Sequence, residues 1–205
     1  MRLRLEHLRD PRVIAVAAIL CLVAAAAPLT RFLGSSDLPS RWTEARPGWL
    51  YRSAQIPGRD VAGVLQKQRI DLVLDLTDEQ TDSARSAEQA AAEKLGIRYL
   101  HLPVAQPKSV VIANLARAVA EIDLAHRRGE RVLVHCTYGH RRSAAALALY
   151  ARLIEHEPPH IAYAELARYA EADSNWSHGV VEFLDKNMDE IAAQVRADLA
   201  DPAPR

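Results

Sequence analysis

The sequence predicts an α/β fold in which a central, mostly parallel sheet is flanked by helices. Two observations carry that prediction. Short, β-rich apolar stretches at 70–76, 97–102 and 131–134 alternate with helical patterns at 60–69, 83–95 and 110–128. The last of these stretches then runs into a tight loop holding a cysteine, a glycine and basic residues, followed by an alanine-rich helix start. With 205 residues, the chain suits one domain of ordinary size plus an appendage. Charged residues make up 25% of it and sum to zero, so no global field draws nucleic acid, and none is expected as a partner. Its two cysteines, Cys21 and Cys136, stand far apart, which argues against a disulfide framework. No Cys/His cluster has zinc-site spacing, so neither a metal nor another cofactor is expected.

The appendage is N-terminal. Residues 1–12 carry four arginines against Glu6 and Asp10, and the run 13–30 holds no charge before Arg31 closes it. Eighteen uncharged residues is about the minimum for a membrane span. A single-pass anchor is therefore expected at 13–30, behind a basic cytoplasmic tail at 1–12. The alternative is a cleaved signal peptide with its small-residue site in Ala24–Ala27. Either way the folded domain is expected outside the cytoplasm, in a bacterial periplasm. Residues 31–48, rich in Ser, Pro and Arg, read as a linker, 49–200 as the domain and 201–205 as a tail. Trp42 and Trp49 suit either a membrane interface or the domain surface.

Within the domain, Leu50–Ser53 reads as a first strand and Asp60–Arg69 as a helix. Ile70–Leu76 has the character of a central strand, and Thr77–Gln80 is the turn at its C-terminal end. Ligands of open α/β sheets bind at that edge, which makes Asp78 and Glu79 possible rim groups; the bland alternative is a solvated turn with capping acids. Ser83–Leu95 forms a helix closed by Gly96. Ile97–Leu102 is a strand. Val111, Leu115, Val119 and Ile122 share one helical face within 110–128. Arg131–Val134 is the next strand and Ala144–Ile154 the helix after the loop. Pro158–Pro159 breaks the chain before a helix at Ile161–Ala172. Leu184, Met188, Ile191, Val195 and Leu199 make the core stripe of one last helix.

The loop itself carries the chemistry. Cys136 and Arg142 lie six positions apart with Gly139 midway, and a loop of that length can turn its backbone N–H groups inward toward the sulfur. The positive end of the helix beginning near Ser143 adds to this anion nest. Arg142 supplies a planar fork matched to two phosphate oxygens. In such a field the Cys136 thiolate is favoured over the thiol and becomes a nucleophile near neutral pH. A lone Cys at a strand end is often only structural. Here glycine, two arginines and a serine stand in register with it.

His135-Cys136, Gly139, Arg142 and Ser143 match the His-Cys-x-x-Gly-x-x-Arg-Ser/Thr loop, so the chain resembles the cysteine-dependent protein phosphatases, most of all the compact dual-specificity type. Leu50 to Pro57 also looks like the opening of many bacterial and fungal members. The resemblance implies attack of Cys136 on phosphorus and hydrolysis of the resulting cysteinyl-phosphate by water. It further implies that Arg142 and the amides of Thr137, Tyr138, Gly139, His140 and Arg141 hold the phosphate. Ser143 would stabilise the departing thiolate, and His135 would orient the loop from behind. Family members often place an aspartate general acid in a Pro-Val-x-Asp pattern some thirty residues before the cysteine. This chain has Pro103-Val104-Ala105-Gln106 instead, which leaves Asp78, Glu79 and Asp173 as candidates for the acid. The expected substrate is a phosphorylated protein or a small phosphomonoester. The extra charge of His140 and Arg141 leaves inositol phosphates or phosphoinositides open, as it leaves open that both side chains simply face solvent. A catalytically weak phosphate-binding module and a rhodanese-like sulfurtransferase are the rival classes.

Overall fold

The computed structural model describes residues 38–78, 83–106, 108–164, 166 and 174–201. The expected anchor or signal at 13–30, with Cys21, and the basic tail before it lie outside these residues. Among the described residues no helix is long and apolar enough to cross a membrane.

Five strands form one sheet: β1 (Thr43–Arg46), β2 (Leu50–Ala54), β3 (Leu72–Asp75), β4 (Arg98–His101) and β5 (Val132–Cys136). Their order is β1-β2-β5-β3-β4. β2, β5, β3 and β4 run parallel, whereas β1 pairs antiparallel with β2, so the sheet is mixed. The antiparallel edge arises because β1 and β2 are joined by a tight turn at 47–49, and so short a link allows only a hairpin. β1 also corrects the expected linker, since part of 31–48 is strand. Trp42 stacks on Tyr51 with ring centroids 5.2 Å apart, and Arg46 Nε donates to Glu155 Oε1 at 2.7 Å. Trp49 stacks on His126 at 4.1 Å. Both tryptophans thus pack on the domain.

Seven helices are described: α1 (Val61–Gln68), α2 (Ser83–Leu95), α3 (Lys108–Arg127), α4 (Arg142–Leu153), α5 (Pro159–Ala162), α6 (Ser174–Lys186) and α7 (Met188–Ala200). They cover both faces of the sheet. On one face Leu72, Leu74, Val132 and Val134 pack with Leu115, Val119, Leu149, Ile191 and Val195. On the other, Tyr51, Val73 and Leu133 pack with Val61, Val64, Leu65 and Ala92. This two-sided cover is why β5 is buried along its whole length and reads as an apolar run. The stripe expected to form one last helix is split at Asn187, whose backbone leaves helical geometry and whose Nδ2 donates to the Phe183 carbonyl at 2.6 Å. The helix expected at 161–172 starts earlier, as the short α5 with proline at its first turn, and Tyr163 follows as its cap.

β5 sits between β2 and β3, and the strand order places its C-terminal end at the crevice where ligands of open α/β sheets bind. Cys136 is the last residue of that strand and pairs in register with Ala54. One residue earlier, His135 pairs with Ser53 on one side and Asp75 on the other. Because side chains alternate along a strand, Cys136 and His135 face opposite sides of the sheet.

Candidate active site

Residues 137–141 join β5 to α4 in a tight loop. Its curl depends on Gly139, which has φ +66°. A Cβ there would lie 2.6 Å from the Ala54 nitrogen and 2.7 Å from the Ser53 carbonyl carbon and oxygen, so the loop rests directly on the end of β2. Two further bonds hold it. Gln55 N–H donates to the Thr137 carbonyl at 3.4 Å, and Arg41 Nη1 donates to the Tyr138 carbonyl at 2.7 Å. Thr137, Tyr138 and Arg141 are exposed, Gly139 and Ser143 are buried, and His140 and Arg142 lie between. α4 begins at Arg142 with no side-chain cap, which leaves its first N–H groups for a ligand.

Cys136 is a free cysteine, only 3% exposed, at the floor of this loop. Its Sγ lies 3.6 Å from Ser143 Oγ. Burial pushes the thiol up, but the N–H and hydroxyl of Ser143, the N–H of Gly139 and the charge of His135 outweigh it and set Cys136 below the ordinary thiol value. Of the amides expected to face inward, that of Gly139 acts on the sulfur, joined by that of Ser143 at the helix start, and Cys136 becomes a thiolate at lower pH than a free cysteine.

Arg142 closes the loop, and its Nη2 donates to Asp78 Oδ2 at 3.2 Å. Asp78 stands just beyond β3, 64 positions earlier, and the turn carrying it is pinned by Arg85, whose Nη1 donates to the Asp78 carbonyl at 3.0 Å. Of the three acid candidates, the structure brings Asp78 to the site. Glu79 and Asp173 lie outside the described residues. Gln106 is exposed and lines a cavity of about 460 Å³ with Arg141 and Arg142 at its polar end and Val111, Leu115 and Phe183 along its walls. His140 is held below the ordinary histidine value by partial burial and by the charges of Arg41, Arg52 and Arg141, which marks the loop mouth as strongly positive.

Behind the loop lies a cluster that the sequence reading did not identify. His135, Glu88 and Asp75 are all fully buried. His135 Nε2 is 2.9 Å from Glu88 Oε2 and 3.9 Å from Asp75 Oδ1. The imidazole N–H is not aimed at either oxygen, so the contact is a charge pair at hydrogen-bond distance rather than a directed bond. Burial alone would push the imidazole down, but Glu88, then Asp75 and Cys136, outweigh it and hold His135 up at about 9. Asp75 is fixed by the Thr77 N–H at 2.8 Å and the Tyr99 hydroxyl at 2.7 Å. The three donor groups lie within 4.8 Å of one another, close enough for a metal. A protonated imidazole offers no lone pair, so we read the trio as an ion cluster. A signal for it did exist: Arg85, Glu88, Ala92 and Leu95 share one face of α2, so Glu88 occupies a core position of an amphipathic helix.

Residues 54–156 match the family model described as the dual specificity phosphatase catalytic domain. No curated protein sequence matches the chain. Among solved structures, PTPMT1 aligns with a TM-score of 0.56 at 20% identity, covering 76% of this chain and 99% of that one. PTPMT1 in complex with PI(5)P gives 0.55 at 20%, covering 76% and 98%. TpbA of P. aeruginosa gives 0.56 at 19%, covering 78% and 99%. At these identities the likeness is one of fold. With half of the chain matched by the family model, over the segment that builds the loop, the chain belongs to the dual-specificity phosphatase family and is a cysteine-based phosphatase of the protein-tyrosine-phosphatase type.

Proposed function

We propose that the protein hydrolyses phosphomonoesters of tyrosine and of serine or threonine in proteins through a cysteinyl-phosphate on Cys136. The observation carrying this reading is the buried Cys136 sulfur at the floor of the loop, 3.6 Å from Ser143 Oγ and favoured as a thiolate by the Gly139 and Ser143 amides, with Arg142 at the loop's end. The phosphoryl group seats in the loop, with its oxygens taken by the amides of residues 137–142 and by the Arg142 fork, which leaves Asp78 to do so. Sγ attacks phosphorus opposite the ester oxygen, the P–O bond breaks, and the P–S bond of the intermediate forms. Water then attacks phosphorus, the P–S bond breaks, and the Ser143 hydroxyl donates to the departing thiolate. Tyr138, 70% exposed at the loop mouth, and the apolar cavity beside Arg142 give the organic part of the substrate surfaces to lie on.

A phosphoinositide or inositol phosphate is the second reading. It is favoured by the cations Arg41 and Arg141 around the mouth, and by the complex of PTPMT1 with PI(5)P. For the acid, Asp78 is the carboxylate within reach once Arg142 turns to phosphate, while Gln106 positions water. We also infer that the uncharged run 13–30 tethers a bacterial enzyme to the membrane with this domain in the periplasm. Protease protection of the domain in intact cells and spheroplasts tests that.

The deciding experiment uses the full chain and its Cys136→Ser variant. Turnover of p-nitrophenyl phosphate, whose phenol leaves with little acid help, is expected only for the former. Equal turnover by both would eliminate covalent catalysis at Cys136. Parallel assays with phosphotyrosine peptide, phosphoserine peptide and PI(5)P then rank the substrates.

A further inference from the structure

The His135 cluster lies on the side of the sheet opposite the phosphate loop, and the reaction written above does not use it. We propose that Glu88 is a positioning residue for the nucleophile: from α2 it holds His135 as an imidazolium beneath the loop, and that buried charge helps keep Cys136 ionised. The inference rests on the reading of Cys136 as the nucleophile.

The argument is one of burial and distance. Glu88 and His135 are wholly inside the protein, 2.9 Å apart. An isolated charge there would be neutralised, so the pair persists only if both members are charged together or neither is. Asp75 decides between these states. It lies 3.9 Å from the same ring nitrogen and is itself fully buried; burial pushes it up, but the charge of His135 and the bonds it accepts from the Tyr99 hydroxyl and the Thr77 N–H outweigh that, so the two groups hold each other charged. A second anion favours the imidazolium. The other groups around the cluster do not reverse this. From α2, Arg85 meets His101 Nε2 at 3.2 Å; from β4, His101 stands 4.0 Å from Asp75, and Tyr99 is a neutral donor; from β2, Ser53 carries no charge. On the remaining side His135 is bonded to Cys136, and its charge helps hold that thiol below the ordinary value. Glu88 thus reaches the sulfur only through His135, and no part of it touches substrate.

Two measurements on the full chain test this. The first uses ¹⁵N-histidine NMR of the unmodified protein, with His135 assigned by its loss in His135→Asn. At pH 8 an ordinary histidine is about 97% neutral, whereas His135 should still show imidazolium shifts. The second follows alkylation of Cys136 by iodoacetamide against pH, mapped by mass spectrometry, in the parent, Glu88→Gln and Glu88→Asp proteins. Glu88→Gln should move the midpoint up by about half a pH unit or more, an about three-fold loss of thiolate on its acid side. Glu88→Asp, which keeps the charge, should restore most of it. A neutral His135 at pH 7.5 overturns the proposal, as does an unmoved midpoint in a folded Glu88→Gln protein. So does a stoichiometric metal whose removal by chelator changes the alkylation profile, because a metal requires the neutral ring. If Glu88→Gln fails to fold, the NMR result decides alone. Alkylation is independent of turnover, so a normal profile in a protein that hydrolyses no phosphomonoester would refute the catalytic reading and leave the Glu88 assignment standing.

Discussion

Replacing Gly139 by alanine separates the shape of the phosphate loop from its chemistry, because no reactive group is removed. The backbone there has φ +66°, where a Cβ costs roughly 1–2 kcal/mol. The new methyl would also stand 2.6–2.7 Å from Ala54 and Ser53, which is 0.7–0.8 Å inside the 3.4 Å at which ordinary contact begins. Those neighbours are backbone atoms at the end of β2, paired with β5 and unable to swing aside as a side chain would. Overpacking of this kind typically adds about 1–3 kcal/mol. If the loop keeps its place, the variant should lose about 2–5 kcal/mol of stability. If it lifts to relieve the clash, the cost falls to about 1–2 kcal/mol, but the amides leave the sulfur, and a displacement near 1 Å removes about 10²-fold in kcat/KM. Urea unfolding and p-nitrophenyl phosphate kinetics on the same preparation distinguish the two outcomes. Stability within 0.5 kcal/mol of the parent together with unchanged kcat/KM would refute the packing argument for both.

Four other outcomes are expected. Arg142→Lys loses the planar fork and one partner of Asp78, so kcat/KM should drop by about 10²-fold or more; phosphate or vanadate inhibition should weaken in parallel, and undiminished inhibition would show that Arg142 does not hold the anion. The proposed reaction requires the Cys136 thiolate, which is present above its folded pKa and lost as pH falls through it. Since that pKa is lowered, the acid limb of the kcat/KM profile should lie below the ordinary thiol value, and a limb at or above it would contradict the site. For His135 the sign is opposite: its pKa is raised to about 9, so the stability it contributes is complete below about 6.5 and lost as pH rises through 9. Urea unfolding at pH 6.5, 8 and 9.5 should show a decline of up to about 3 kcal/mol, and a flat profile would be inconsistent with the buried cluster. Finally, Gln106→Asp should raise turnover of seryl or alkyl phosphates if the acid slot is vacant, by up to about 10²-fold, and leave p-nitrophenyl phosphate nearly unchanged; a fall would assign Gln106 a role of its own.

The loop was legible because its signals are local. A strand, a glycine beyond it, and an arginine at the start of a helix all lie within residues 132–142, and backbone geometry over so short a span is set by the residues themselves. The α/β class followed from periodicity, and the end of Ser83–Leu95 from Gly96, for the same reason. Strand β1 was missed because four residues with mixed exposure carry almost no pattern, and only pairing with β2 makes them a strand. The break at Asn187 was hidden because an apolar stripe continues across it, and the hydrogen bonds that interrupt the helix leave no periodic trace.

By itself, then, the sequence determined the enzyme class, the turn of the loop at Gly139 and the layered class, since each depends on neighbours along the chain. Tertiary structure alone decided that Asp78 meets Arg142 across 64 positions, and that Glu88 and Asp75 converge on His135 behind the sheet. Those contacts join separate strands and helices. Their distances are set by strand order and helix packing, which no local run of residues encodes.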